Sequence, residues 1–223
     1  MKKAVILAAG RGSRFKEFTE DTPKALINFR GKPLIEHVLR MITDSDIKDV
    51  AIVVGYKGDQ IKEYVGSGEK FNLKVSYYTQ EIQDGMLSAI LTTKSWVGDN
   101  HFLVTCCDVV YPGSLLPLVK KHQSENAKAT ISVVLQPEPV SKAIVCVNNN
   151  KVISIHSSSK DYTSIFTDAG MMCFSPRIFQ FLEEEKNYLS AITRLIKNEY
   201  VIAHQLEAPC YNVNSVEDLE KAE

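Results

Sequence analysis

Residues 3–39, KAVILAAGRGSRFKEFTEDTPKALINFRGKPLIEHVL, set the pattern for the whole chain. The apolar run KAVILAA ends in glycine and predicts a fully buried strand. Behind it come two glycines, two arginines and a Pro-Lys pair in one loop. PLIEHVLRMITDS then places Leu34, Ile35, Val38, Leu39 and Ile42 at helical spacing, with Pro33 at the favoured first turn. Such a loop is a poor way to build a core and a good way to hold phosphates.

The alternation continues outward. DVAIVVGY, LKVSYYTQ and HFLVTCCDVVY predict strands, and KGDQIKEYVG, DGMLSAILTTKSWV and SLLPLVKKHQSE predict the helices between and after them. Strands alternating with helices across short connections predict a parallel sheet with right-handed crossovers. After about residue 128 the pattern changes. ATISVVLQ, AIVCVNNNKVISIHS and AGMMCFSP alternate apolar and polar residues around an NNN turn, which predicts antiparallel pairs. IFQFLEEE and LSAITRLIKNE predict helices, YVIAHQLEA a strand and SVEDLEKAE a closing helix. The expected fold is α/β: a Rossmann-like, mostly parallel central sheet with helices on both faces and a small antiparallel part. No linker divides the 223 residues, so one domain is expected over 1–223.

Composition narrows the class. Hydrophobic residues are 44% and charged residues 24%, with a net charge of −1. Nothing in that balance suggests a polyanion, so no nucleic-acid partner is expected. No segment has transmembrane length, and the opening apolar run is too short for a signal peptide, so a cytoplasmic protein without a membrane partner is expected. The five cysteines are odd in number and form no CxxC pair. They suit a reducing compartment as small apolar side chains, with no metal or redox role. His37, His101, His122 and His204 show no ligand spacing and are expected on helix surfaces or strands. His156 and Lys160 are expected in a solvated loop.

Ligands gather beyond the carboxyl ends of strands in open parallel sheets, which is where AAGRGSR leaves the first strand. Gly10 and Gly12 let backbone N–H groups approach an anion, Arg14 offers a planar fork, and Lys24 a point charge behind Pro23. The third glycine of a dinucleotide fingerprint is missing, and no Gly-Lys-Ser/Thr makes a Walker loop. Asp108 ends an apolar strand, where a carboxylate is costly unless it meets a cation. Mg²⁺, which takes one or two carboxylates plus phosphate oxygens, is such a partner.

The pattern LAAGRGSRF…TPKAL…GKPLIEHVL resembles the sugar-phosphate nucleotidylyltransferase family. Size and the second half (CCDVVY, TDAGMMCF, LSAITRLI) look most like its short cytidylyltransferases for inositol-phosphate and phosphocholine. The resemblance implies the reaction of an NTP with a phosphorylated small alcohol or sugar, giving a nucleoside-diphosphate product and pyrophosphate, with Mg²⁺ as cofactor. It implies a nucleotide-binding half over about 1–128 and an acceptor half over about 129–223.

Residue by residue, the resemblance implies that Arg14 grips the outer phosphates and that Lys24 bridges the attacking phosphate and the α-phosphate. Leu7, Ala8, Ala9, Gly10, Gly12 and Ser13 line the nucleotide, with Gln80 and Gly85 at the base. Asp84 is also expected to cap a helix. Asp168 and Gly170 meet the acceptor. Asp108 holds the metal with Asn212, which stands where most relatives have Asp, and Asn214 is a substitute ligand. Glu217 and Asp218 are expected to favour the final helix dipole. IHSSSKDY lacks the Glu-Lys pair usual in sugar enzymes.

CTP is the first guess for the nucleotide, with UTP or dTTP also suited. A homodimer is left open. The alternatives are a hexose-1-phosphate uridylyl-, thymidylyl- or guanylyltransferase, a nucleotide-sugar glycosyltransferase, and an inactive nucleotide-binding module. A glycosyltransferase would want a DxD pair where Cys106-Cys107-Asp108 has one Asp. KEFTED is expected as a mobile flap over the nucleotide.

Overall fold

A computed structural model describes residues 1–136, 143–157 and 165–221. Lys160 lies outside them. The first strand, β1 (Lys3–Ala8), forms as predicted. Ala4, Ile6 and Ala8 enter one buried cluster, and Val5, Leu7 and Ala9 enter another. A strand covered on both faces is apolar throughout, which is why the run KAVILAA shows no alternation.

A short hairpin of β2 (Asn28–Phe29) and β3 (Lys32–Pro33) leads into α1 (Leu34–Thr43). Then come β4 (Asp49–Val54), α2 (Gly58–Val65), β5 (Lys74–Thr79), α3 (Met86–Leu91), α4 (Lys94–Val97), β6 (Phe102–Cys106), β7 (Val109–Val110) and α5 (Leu116–Ser124). The second half holds β8 (Ala129–Gln136), β9 (Ile144–Asn148), β10 (Lys151–His156), β11 (Ile165–Phe174), α6 (Ile178–Glu184), α7 (Tyr188–Asn198), β12 (Val201–Gln205), β13 (Tyr211–Asn212) and α8 (Val216–Lys221).

Nine strands form one sheet in the order β5-β4-β1-β6-β11-β8-β12-β10-β9. The four first-half strands are parallel. β11 joins them antiparallel to both β6 and β8, and β12 returns parallel to β8. The antiparallel part therefore extends the parallel sheet. β9 also pairs with β11, so the far end of the sheet curls back on itself. The NNN turn joins β9 to β10, with Asn149 at φ 47° and Asn150 at φ 66°. Asparagine tolerates that left-handed region better than most residues.

Helices cover both faces. α1, α2 and α5 send Ile35, Val38, Ile61, Val65 and Leu118 into the first cluster. α3, α4, α6 and α7 send Ile90, Val97, Phe181 and Leu195 into the second. A third, smaller cluster joins Phe15, Ile27, Phe29, Leu34, Val110 and Val213, drawn from both ends of the chain.

Three expectations change. The helix predicted over 84–97 is two helices, because Thr92 and Thr93 turn their hydroxyls onto the carbonyls of Ala89 and Ile90, at 2.8 and 2.7 Å. Side-chain bonds of this kind compete with the helix ladder. The strand predicted over 101–111 breaks at Cys107-Asp108, where the chain leaves the sheet.

KEFTED, the segment expected to close over the nucleotide, starts inside a helix. Residues 13–19 form a 3-10 helix with Phe15 fully buried. Tyr56 Oη then donates to the carbonyls of Thr19 (3.0 Å) and Glu20 (3.1 Å), and Gln60 Nε2 to that of Asp21 (2.9 Å). His122 is not on the surface of α5 but fully buried, with Nδ1 2.9 Å from Thr130 Oγ1 and Nε2 2.8 Å from His101 Nδ1.

Candidate active site

The carboxyl ends of β1, β4, β5 and β6 share one edge, and the loops leaving β1, β5 and β6 line a cavity of about 270 Å³. From the first loop it is lined by Leu7, Ala9, Gly10 and Gly12; Ala8, one residue out of phase, faces the opposite cluster. Gln80 and Gly85 line it from the third loop, and Asp108 from the fourth. Ser13 and Arg14 are exposed at the start of the 3-10 helix, and Arg14 makes no ion pair or hydrogen bond among the described residues.

Lys24 follows Pro23, whose extended backbone (φ −66°, ψ 147°) opens a single 3-10 turn. Its ammonium is ion-paired to Asp108 Oδ2 and donates to Asn214 Oδ1 at 2.9 Å. The Phe15 ring centroid lies 5.5 Å away, so the third cluster forms an apolar base under this polar group. Gly12 makes the approach possible. At φ +68° it has a conformation that L side chains rarely adopt, and an added Cβ would meet Lys24 Cβ at 2.8 Å.

Segment 211–214 reaches Asp108 through tertiary pairing. β13 is antiparallel to β7 with Asn212 opposite Val109, and Val213 N donates to the Asp108 carbonyl at 3.0 Å. Asp218 Oδ2 accepts from Asn214 N (2.8 Å) and Ser215 N (3.0 Å), so this residue caps the turn before α8 besides favouring its dipole.

The 80–85 loop is organised from within. The Gln80 side-chain amide donates to Gly85 O (2.9 Å), Ser88 Oγ (2.8 Å) and Asp84 Oδ1 (3.3 Å). Its N–H groups are thus occupied by the loop itself. Asp84 accepts from the Ser88 hydroxyl rather than capping through a backbone N–H, and this bond holds its carboxyl below the usual range.

On the second-half side, Asp168 Oδ1 accepts from Gly170 N at 2.8 Å. Gly170 has φ +82°, and an added Cβ would meet Val109 Cγ2 at 2.9 Å, so packing alone already demands glycine there. Asp168 also lies close enough to Tyr188 to raise its hydroxyl pKa, after the larger effect of burial. Neither Asp168 nor Gly170 lines the cavity.

Sequence reasoning missed Gln83, Met86, Ala89, Cys106 and Cys107 as lining residues. Gln83 Nε2 donates to Gln80 O at 2.9 Å, and its place two residues before Gly85 was the available signal. Burial, followed by the charge of Asp108, raises the Cys106 thiol pKa and pushes that of Cys107 up to about 12, so these lining thiols are not ionised nucleophiles. Among the described residues no group of three His, Cys, Asp or Glu could hold a metal. What is present is one carboxylate, Asp108, with Asn214 Oδ1 on the same Lys24 ammonium; Asn212 Oδ1 is a buried oxygen with no hydrogen-bond partner among the described residues, 3.8 Å from where a Cβ on Gly170 would stand, and Asn212 is not in the cavity lining. Hard oxygen donors of this kind fit Mg²⁺ when substrate phosphates complete its shell. No helix among the described residues is long and apolar enough to cross a membrane.

Residues 3–211 match the family described as nucleotidyl transferase. The chain is 30% identical to the bifunctional protein GlmU of Methanocaldococcus jannaschii over 89% of its own length, and spans only 48% of that relative. It is 28% identical to a protein of Bacillus subtilis named probable glucose-1-phosphate cytidylyltransferase, over 83% of this chain and 79% of that one. A UTP-bound UGPase from Acinetobacter baumannii superimposes with a TM-score of 0.85 at 23% identity, covering 100% of this chain and 92% of the other. At that identity the superposition establishes the fold: a mixed α/β nucleotide-diphospho-sugar transferase sheet.

Proposed function

The chain belongs to the nucleotidyl transferase family, and we propose that it transfers a nucleotidyl group from an NTP to the phosphate of a small phosphorylated acceptor, releasing pyrophosphate. The observation that carries this reading is the meeting of Lys24 with Asp108 beside the Gly10–Gly12 loop, at the carboxyl edge of the parallel strands. A strand-edge cavity with a glycine floor, one buried-side cation and one carboxylate suits a triphosphate.

The reaction joins two anions. An acceptor phosphate oxygen attacks the α-phosphorus in line, and the bond to the bridging oxygen of the leaving pyrophosphate breaks. Lys24 neutralises charge between attacking and α-phosphates, and Arg14 closes from its exposed helix onto the outer phosphates. The attacking phosphate is already anionic, so no general base is needed; positioning and charge stabilisation supply the rate. Asp108 and Asn212 would hold Mg²⁺, which when bound supplies charge neutralisation on the triphosphate.

CTP remains the first nucleotide to test, and relatives named for glucose-1-phosphate favour a sugar phosphate as acceptor. The missing Glu-Lys pair in IHSSSKDY supports the second reading, a phosphocholine- or inositol-phosphate-type acceptor. The test is pyrophosphate release with CTP, UTP and dTTP against glucose-1-phosphate, phosphocholine and inositol phosphate. One pair is expected to exceed the rest by orders of magnitude. A well-folded protein releasing no pyrophosphate with any pair overturns the proposal.

A further inference from the structure

Lys24 and Asp108 carry the charges of the cavity lining, while Gln80, Gln83, Gly85, Met86 and Ala89, from the loop after β5 and from α3, carry none. A triphosphate held at the charged part places its nucleobase against the neutral part. Two side-chain amides stand there, and the loop has taken the donors of both.

Gln80 is only 5% exposed. The two N–H groups on its Nε2 face Gly85 O (2.9 Å), Ser88 Oγ (2.8 Å) and Asp84 Oδ1 (3.3 Å). These partners fix which way the amide points. Ser88 Oγ gives its own hydrogen to Asp84 Oδ1, so toward Gln80 it can only accept. Gly85 O and the Asp84 carboxylate have no hydrogen to give. Turned over, Gln80 Oε1 would face three oxygens with no hydrogen between them. What the side chain keeps for the cavity is Oε1, which can only accept. Gln83 repeats the arrangement: its Nε2 donates to the carbonyls of Gln80 (2.9 Å) and Glu81 (3.4 Å), and its Oε1 is left.

We propose that Ser88 and Asp84 form a specificity-determining pair: by taking the N–H groups of Gln80 they make its amide an acceptor, and the site selects an NTP whose base presents an exocyclic amino group to it. This rests on the nucleotidylyltransferase reading. Cytosine and adenine donate from that amino group. Uracil, thymine and guanine carry a carbonyl at the corresponding position, where it meets an oxygen and stays unpaired, and a site built for one hydrogen bond rejects a base that cannot make it. An amide free to turn offers an N–H as readily as an oxygen and would lack the preference.

The test measures binding of CTP, ATP, UTP, dTTP and GTP with Mg²⁺ by calorimetry, without acceptor. It compares the unaltered chain with Asp84→Ala/Ser88→Ala, in which Gly85 O is the one acceptor of the three left to Gln80. Turnover with the same NTPs and the acceptor panel runs alongside. In the unaltered chain CTP or ATP is expected to bind ~10- to 100-fold more tightly than each of the other three, the size of one buried group left unpaired. The comparison of CTP with ATP tells a pyrimidine site from a purine site. In the double variant the preference is expected to shrink to about 3-fold or less, through tighter UTP binding, because one N–H of Gln80 is free to meet a carbonyl. A merely structural role of the pair would weaken all five together.

UTP, dTTP or GTP binding to the unaltered chain as tightly as the better of CTP and ATP overturns the proposal. So does a double variant that keeps the full preference or binds all five more weakly by the same factor. If that variant fails to fold, Ser88→Ala takes its place with the same deciding outcomes. No pyrophosphate release with any NTP and acceptor sinks the underlying function, while turnover fastest with UTP, dTTP or GTP sinks this inference alone.

Discussion

Lys24 and Asp108 stand 84 positions apart and meet in one ion pair, with side-chain exposures of only 13% and 14%. In the proposed reaction that pairing puts the Lys24 charge at the reacting centre. Lys24→Ala is expected to lower the rate of pyrophosphate release by at least ~100-fold, the scale seen when one charge-stabilising donor is removed. NTP affinity, measured by calorimetry, should change by only a few-fold. A near-normal rate in this variant would refute the role of Lys24.

Gly12→Ala tests the close approach of the two loops. The added methyl group meets Lys24 Cβ at 2.8 Å in a backbone conformation at φ +68°. A loss of about 1–3 kcal/mol in urea unfolding is expected from strain of this type, together with loss of turnover because Lys24 is displaced. A variant as stable as the parent would show that the loop can relax.

Tyr56→Phe removes one hydroxyl that serves the carbonyls of Thr19 and Glu20. The expected cost is about 0.5–1.5 kcal/mol, typical of a hydrogen bond. The NTP KM should rise more than kcat falls, because the tether orders the segment carrying Arg14 without touching the chemistry. An unchanged KM would mean that the 3-10 helix needs no tether.

The histidine pair gives the pH dependence. Burial, and next the neighbouring His101, lower the His122 pKa from 6.5 to about 3; His101 shifts the same way, chiefly through burial. Lys128 and the N-terminal amine lower it further. The unfolded chain therefore binds a proton that the folded chain refuses. Stability should be complete above pH 6.5 and fall toward pH 3, by up to ~1.4 kcal/mol per pH unit for one histidine. Urea unfolding at pH 7.5 and pH 5.0 measures this, and His122→Gln should reduce the difference. Equal stability of the parent at the two pH values would rule it out.

Much of the fold and part of the site was legible because the signals were local. A buried strand, a glycine-rich loop and a proline-headed helix lie in one continuous stretch, so β1, α1 and the Gly10–Gly12 floor follow from neighbours in sequence. The same holds for Lys24 behind Pro23 and for Asp108 at the end of an apolar run, each marked by a charge where a core would exclude one.

What tertiary structure decided are relations between distant segments. Nothing in the sequence shows that the 80–88 loop gathers onto the Gln80 amide through Asp84, Gly85 and Ser88. His122 looked like a surface histidine until β6 and β8 brought His101 and Thr130 to it. Asn214 stands 190 positions from Lys24, and only the pairing of β13 with β7 brings the two together. Periodicity records which residues are buried, since burial repeats with the backbone. It does not record which polar partner a buried group finds, because that depends on strands joined only after the sheet has closed.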